Sequence, residues 1–530
     1  VDQLSLLFAL LLGSLLTVPL GDRLGLPSPV LMTLFGGLLA FVPLVPQVDI
    51  DPELILPLVL PPVLYAAVRR TSWRQFVANV RPILLLAVAL VFVTTAAVAA
   101  VAQAAVPGLP LAAAVALGAL VAPPDPIAAT AVAGQLGLPR RMVSILEGEG
   151  LFNDVTAITL YHVAIGAVVA GSYSFPAAAT DLVLSAVVAI AVGLALGWLI
   201  SRLRPVLSDV TLRVGFTLLL PFAAYTLAEE LHGSGVLSVL VMGLYLSEQA
   251  DPDDVAGRLT GGSFWAVVDT MVTGVAFGLI GLELHRVLDS TLSRWDDLLP
   301  AALAVLGAVI GVRLMWLLPA AWITRRLHRE SDAGEDVPLS WRETVVMWWS
   351  GMRGVATVAL ALAVPLTVDD GGGFPERDAL IFIAFVVVLV TLVLQGLTLP
   401  WLVRLLGVQA DADIADRQEH DLAVRAAKAA KRRLRELGES EDLPDDVSET
   451  LLRRAYDIGV RISPSLAERD LREHVAERAR HVREIDEMYA ELLAAARREV
   501  LDARSEAGAD PNVVDRALRE LDRTSLPHGD

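Results

Sequence analysis

The sequence predicts an all-α polytopic membrane protein: about thirteen transmembrane helices with inverted repeats and two crossed broken helices, followed by an α-helical soluble tail. Three observations carry this reading. The chain of 530 residues is 55% hydrophobic with a mean hydropathy of +0.59, too apolar for an ordinary soluble protein. Charge is segregated: the segment from Asp411 to Asp530 carries 29 acidic and 21 basic residues, against 60 and 42 in the whole chain. Two of the apolar runs are interrupted by proline, glycine and charge. A membrane domain over residues 1–407 and a cytoplasmic helical domain over 408–530 follow. The net charge of −18 and the lack of a basic stripe exclude nucleic acid as a partner. With no cysteine, disulfides and thiolate metal sites are excluded too.

Apolar runs long enough to cross a bilayer centre near residues 11, 37, 61, 92, 122, 157, 189, 220, 240, 273, 312, 355 and 391. The first follows Asp2 rather than a basic segment and precedes no A-x-A site, so it reads as a retained helix. Alternate connections carry Arg69, Arg70, Arg74 and Arg81; Arg140 and Arg141; Arg202, Arg204 and Arg213; and Arg325, Arg326 and Arg329. The opposite set holds Asp49, Asp51 and Glu53; Val106-Pro107-Gly108; Gly171-Ser172-Tyr173; Glu229 and Glu230; and Asp369 and Asp370. The positive-inside rule makes the first set cytoplasmic. A multi-pass plasma-membrane protein is expected, with its N-terminus outside and its tail in the cytoplasm. The connection from Glu248 to Arg258 is acidic where the rule asks for basic.

The fifth span contains Ala122-Pro123-Pro124-Asp125-Pro126, where prolines remove backbone donors and force an extended segment. The twelfth contains Ser350-Gly351-Met352-Arg353-Gly354. Non-helical backbone at that depth must be buried or line a cavity. Paired interruptions at matching places in two inverted halves point to a transporter binding site. Spans one to six and eight to thirteen would form those halves, with the seventh linking them.

The sixth span carries Glu147, Glu149 and Asp154 within an otherwise apolar run. Intramembrane carboxylates face pathways or interior partners. Asp154 is the first candidate for the transported ion. Burial favours the protonated acid and a bound cation favours the carboxylate, so proton and cation compete for one group. The alternative is an acid buried for structure. Asp125 is either a local cap of the proline break or a second carboxylate near the cation, beside carbonyls freed at Ala122, Pro123 or Pro124. Glu149 and Asn153 share a helix face. Glu149 is expected to pair with Arg353 and fix the broken helix against the sixth span, in preference to binding the cation directly, with Arg313 as the alternative partner. Asn153 would bridge neighbours by amide hydrogen bonds. Glu147 is expected to serve a funnel or nothing, and His162 to be a packed polar residue.

These residues carry a resemblance. Gly148 to Asp154, G-E-G-L-F-N-D, resembles the G-E-S-L-x-N-D signature of the monovalent cation:proton antiporters, in the NhaP-like sodium/proton exchanger branch. Pro124 to Pro126 is similar to that family's D-P motif on an unwound helix, and G-M-R-G-V-A-T, Gly351 to Thr357, to its R-G motif. Leu60 to Pro62, Gly281 to Leu284 and Leu394 to Pro400 fit the same pattern, and the match spans residues 1–407. The resemblance implies a homodimer and elevator-like movement of a core domain. It also implies that Asp154 binds the ion and the proton, with Asp125 and the Pro124 carbonyl close by. Gly150 stands where the motif usually has serine, leaving water to substitute, and Pro124 where threonine often precedes D-P. Ala66 stands where many relatives carry an acid.

One exchangeable carboxylate predicts one proton per monovalent cation. The electrogenic branch of the family has paired aspartates and a membrane lysine. Here Asn153 precedes Asp154, and the only lysines are Lys428 and Lys431 in the tail. The expectation is electroneutral exchange of Na+, with Li+ or K+ as alternatives, held by Asp154 and Asp125 at the metal position. No cofactor is expected, and lipid is the surrounding partner. An intramembrane hydrolase lacks a paired metal motif or serine elbow, and a channel does not need a lone exchangeable acid. The tail reads as amphipathic helices, notably His474 to Ala507.

Overall fold

The computed structural model describes residues 3–42, 52–69, 80–125, 137–171, 175–203, 206, 209–249, 254–291, 294–327, 340–408 and 412–440, with 451–452, 454–455 and 463. Two compact units divide at Gln409 and Ala410. Among the described residues of the first unit the regular elements are helices: α1 Gln3–Leu24, α2 Ser28–Ala40, α3 Pro52–Val68, α4 Val80–Ala105, α5 Leu111–Val121, α6 Arg140–Val169 and α7 Phe175–Leu203. They continue with α8 Val210–Glu230, α9 Gly235–Glu248, α10 Val255–Thr291, α11 Trp295–Leu327, α12 Trp341–Trp349, α13 Val355–Leu362 and α14 Arg377–Leu406. Among the described residues, eight stretches are long and apolar enough to cross a membrane, lying in α1, α4, α6, α7, α8, α10, α11 and α14. Shorter apolar helices fall in α2, α3, α5 and α9. In the second unit, α15 spans Ala412–Ser440. The tail segment His474 to Ala507, Pro126, and the arginines Arg70, Arg74, Arg204 and Arg329 lie outside the described residues.

Local sequence explains the helix ends. Asp209 accepts the Leu212 amide and Ser234 accepts the Leu237 amide, capping α8 and α9. Ser340 and Glu343 form a reciprocal capping box at the start of α12. Gly407 closes α14 with φ of 63°, the left-handed conformation in which glycine carries no Cβ penalty.

Helix contacts are made by small residues, as expected where apolar solvent offers no drive for association. A β-carbon on Gly36 would fall 2.1 Å from the Gly278 carbonyl oxygen, and one on Gly281 would fall 2.2 Å from that of Thr33. The backbones of α2 and α10 therefore touch, and the Thr33 hydroxyl donates across the seam to Phe277 at 3.2 Å. Gly281 of the Gly281 to Leu284 motif is thus a packing residue.

The acidic connection that violates the charge rule also has a physical explanation. Asp254 accepts two hydrogen bonds from Arg213, at 3.0 and 3.1 Å, and caps the Gly257 amide. The pair neutralises one acid of that connection and brings the two connections to one end of the helical array. Nearby, Arg69 at the end of α3 donates to the Gly261 carbonyl and lies over the Trp265 ring.

At another edge, Arg377 donates to the carbonyls of Leu362 and Val364, satisfying acceptors that the end of α13 leaves open. The Asp369 amide donates to Val169 at the end of α6. Tyr161 on α6 donates to the Leu360 carbonyl at 2.9 Å. These bonds tie α13 to α6, the helix that carries Asp154.

Candidate functional site: a crossing of two broken spans

The unwound segments after α5 and after α12 meet. The Asp125 amide donates to the Met352 carbonyl at 2.7 Å, so each break satisfies a backbone group freed by the other. The broken helices therefore do come together, although the continuation of the fifth span past Asp125 lies outside the described residues.

Charges at the crossing match the helix ends they face. The last carbonyls of α5 form the negative end of a dipole, and Arg353 donates to Val121 at 3.0 Å and to Ala122 at 3.2 Å. The same guanidinium donates to the Gly351 carbonyl, while the Arg353 amide donates to the Thr391 hydroxyl at 3.1 Å. At the other end, Gly354 caps α13, whose first amides form a positive end. Asp125 packs on Gly354 so closely that a β-carbon there would collide with its carboxylate.

The expected Glu149–Arg353 pair is not formed. Glu149 pairs instead with Arg313 of α11, by two hydrogen bonds of 2.5 and 3.0 Å, with side-chain exposures of 1% and 2%. Arg313 also donates to the Met347 carbonyl at the end of α12. The reason is carbonyl competition: the unwound backbone supplies Arg353 with three carbonyls, Val121, Ala122 and Gly351, whereas Arg313 meets that of Met347 and takes Glu149 as its counter-charge.

Asn153 donates to the Pro124 carbonyl at 2.7 Å and is fully buried. That fixes the proline break against α6, as an amide bridge would. Its Oδ1 has no hydrogen-bond partner among the described residues. A carbonyl oxygen has two lone pairs, so Pro124 can accept a second contact.

Asp154 and Gly150, four residues apart, face the other way. Together with Asp125 and Pro123 they line a cavity of about 50 Å³, room for about three or four waters. Its wall is completed by Leu60 and Ala67 of α3, Thr273 of α10 and Thr357 of α13. Proline at positions 61 and 62 removes backbone donors beside this cavity. Glu147 is not part of the lining. His162 corrects the expectation of a packed residue: it is exposed on the outer face of α6, beside the Tyr161 ring. Thr273, Thr357 and Thr391 were missed by reasoning from charge. Hydroxyls just inside a half-helix or opposite a break were the available signal.

A chamber holding two carboxylates at the meeting of two interrupted helices is the form expected of an ion carrier. The family model of the transmembrane sodium/hydrogen exchanger matches residues 7–405. The chain belongs to the sodium/hydrogen exchanger family. It is therefore a transporter and not an enzyme, which disposes of the hydrolase alternative. An uncharacterised Na+/H+ exchanger of Mycobacterium tuberculosis is 35% identical over 465 residues, 85% of this chain and 84% of the relative. A sodium, potassium, lithium and rubidium/H+ antiporter of Bacillus pumilus is 30% identical over 406 residues, 74% of this chain and 60% of that protein. Among solved structures, the sodium proton antiporter MjNhaP1 of Methanocaldococcus jannaschii superposes with a TM-score of 0.59 at 21% identity, covering 76% of this exchanger and 98% of that chain. At that identity the likeness establishes the fold.

Proposed function

We propose that this exchanger moves Na+ against H+ in an electroneutral one-for-one cycle, with Asp154 holding either the proton or the cation. The observation that carries the reading is the shared cavity: Asp154 and Asp125 line one small chamber where two broken spans cross. Asp154 is the exchanging acid. Asp125 supplies fixed negative charge between the cation and the positive end of α13. The Pro124 carbonyl and water at Gly150 add oxygen contacts, and Asn153 holds the proline break in register. Dehydrated alkali cations take oxygen ligands of this kind. Alternating access follows if the crossed segments move with α6 past the wall formed by α3 and α10.

The protein is assigned to the plasma membrane with about thirteen crossings, its N-terminus outside and its tail in the cytoplasm, as a homodimer in lipid. A second reading accepts K+ or Li+ as well as Na+. It is favoured by the breadth in the name of the Bacillus relative.

Reconstitution into liposomes with an internal pH dye tests the proposal. Wild type should dissipate a pH gradient on addition of Na+, at a rate unaffected by an imposed membrane potential. Asp154→Asn should be inactive while staying folded. Activity in that variant would refute the site, and strong voltage dependence would refute the stoichiometry.

A further inference from the structure

Among the described residues the chamber wall offers few oxygens. Most of it is aliphatic, from residues such as Val59, Leu60, Val63 and Leu151, and Gly150 and Pro123 bring only backbone. Among the described residues of the lining, the side-chain oxygens other than the two carboxylates are the hydroxyls of Thr273 and Thr357. The Thr273 hydroxyl is directed to Asp269 on its own helix at 3.5 Å.

Thr357 lacks the backward bond that several helical threonines make. Thr33, Thr156, Thr159, Thr391 and Thr398 each donate to the carbonyl four residues earlier. For Thr357 that acceptor would belong to Arg353, in the unwound segment before α13. No hydrogen bond to the Thr357 hydroxyl is found among the described residues, although the residue is only 1% exposed. Thr357 is the third residue of α13, in the turn whose cap carries Asp125, and it borders the same chamber as Asp154. A hydroxyl held there in reserve suits a partner that arrives and leaves.

We propose that the Thr357 hydroxyl is a ligand of the transported cation and sets a preference for Na+ and Li+ over K+. The proposal rests on the exchange reading of Asp154. The smaller ions hold their water more tightly, so each lost protein oxygen weakens their binding more than it weakens that of K+.

Full-length protein in liposomes, titrated separately with Na+, Li+ and K+, tests this. Thr357→Val keeps the shape and removes the oxygen. It should raise the apparent KM for Na+ and Li+ about tenfold, the equivalent of one hydrogen bond to a charge, and that for K+ clearly less. Thr357→Ser should recover most of the affinity, and Gly150→Ser in the Thr357→Val background should recover part of it through a new hydroxyl on the chamber wall. If Thr357→Val does not fold, Thr357→Ser against Thr357→Ala carries the same comparison. Unchanged KM values, or an equal fall in maximal rate for all three ions at constant KM, overturn the assignment. Wild-type vesicles without exchange, or an active Asp154→Asn, would instead overturn the exchange reading on which it stands.

Discussion

The pairing of Glu149 with Arg313 makes a quantitative prediction about which arginine depends on that carboxylate. The pair is bidentate and almost wholly withdrawn from solvent. Breaking such a pair from one side leaves an uncompensated charge, at a cost of about 3–5 kcal/mol. Glu149→Gln and Arg313→Met should each lose about that much stability, and the double variant much less than the sum. The coupling energy is then about 3 kcal/mol. Arg353 should behave differently, because its guanidinium is met by the Val121, Ala122 and Gly351 carbonyls. Arg353→Met combined with Glu149→Gln should be nearly additive, with coupling below about 1 kcal/mol. Unfolding in mixed micelles of mild detergent and SDS can be followed by tryptophan fluorescence, since Trp348 donates to Ile310 beside Arg313 and Trp349 donates to Thr398. Stronger coupling of Glu149 to Arg353 than to Arg313 would refute the assignment, and with it the idea that freed carbonyls neutralise Arg353.

Two further substitutions probe the crossing itself. Gly354→Ala drives a methyl into the Asp125 carboxylate; overpacking of this kind costs about 1–3 kcal/mol, and Na+-driven proton flux should fall more than tenfold while the protein still inserts. Normal flux in that variant would mean that Asp125 does not need its place against α13. Asn153→Ala removes the bond to the Pro124 carbonyl and should lower stability by about 1–2 kcal/mol, with a higher apparent KM for Na+ in the liposome assay. A melting midpoint equal to wild type would show that the proline break is held by other contacts.

How much of this was legible in the sequence depended on whether a residue acts through its own chemistry or through backbone freed elsewhere. The expected span centres fall on described helices, or at the breaks of α5 and α13, because apolar runs and prolines are local signals. Asp154 and Gly150 share the chamber because spacing of four residues fixes a face of α6, and Asp125 joins them through the proline break that the sequence marks. The ion pair was misread for a different reason. Sequence reasoning asked which anion an intramembrane arginine needs, and counted only carboxylates. In the fold, the interrupted helices supply partial negative charge in the form of unpaired carbonyls at Val121, Ala122 and Gly351, which a residue string does not display. The same blind spot hid Thr391, which accepts the Arg353 amide, and Thr357, whose usual acceptor is lost to the break. A broken membrane helix therefore rearranges the hydrogen-bonding demands of every polar residue around it. The side chains that answer those demands are drawn from α6, α11 and α14, far from the break in sequence, so their roles are set by the crossing and become visible only once it is built.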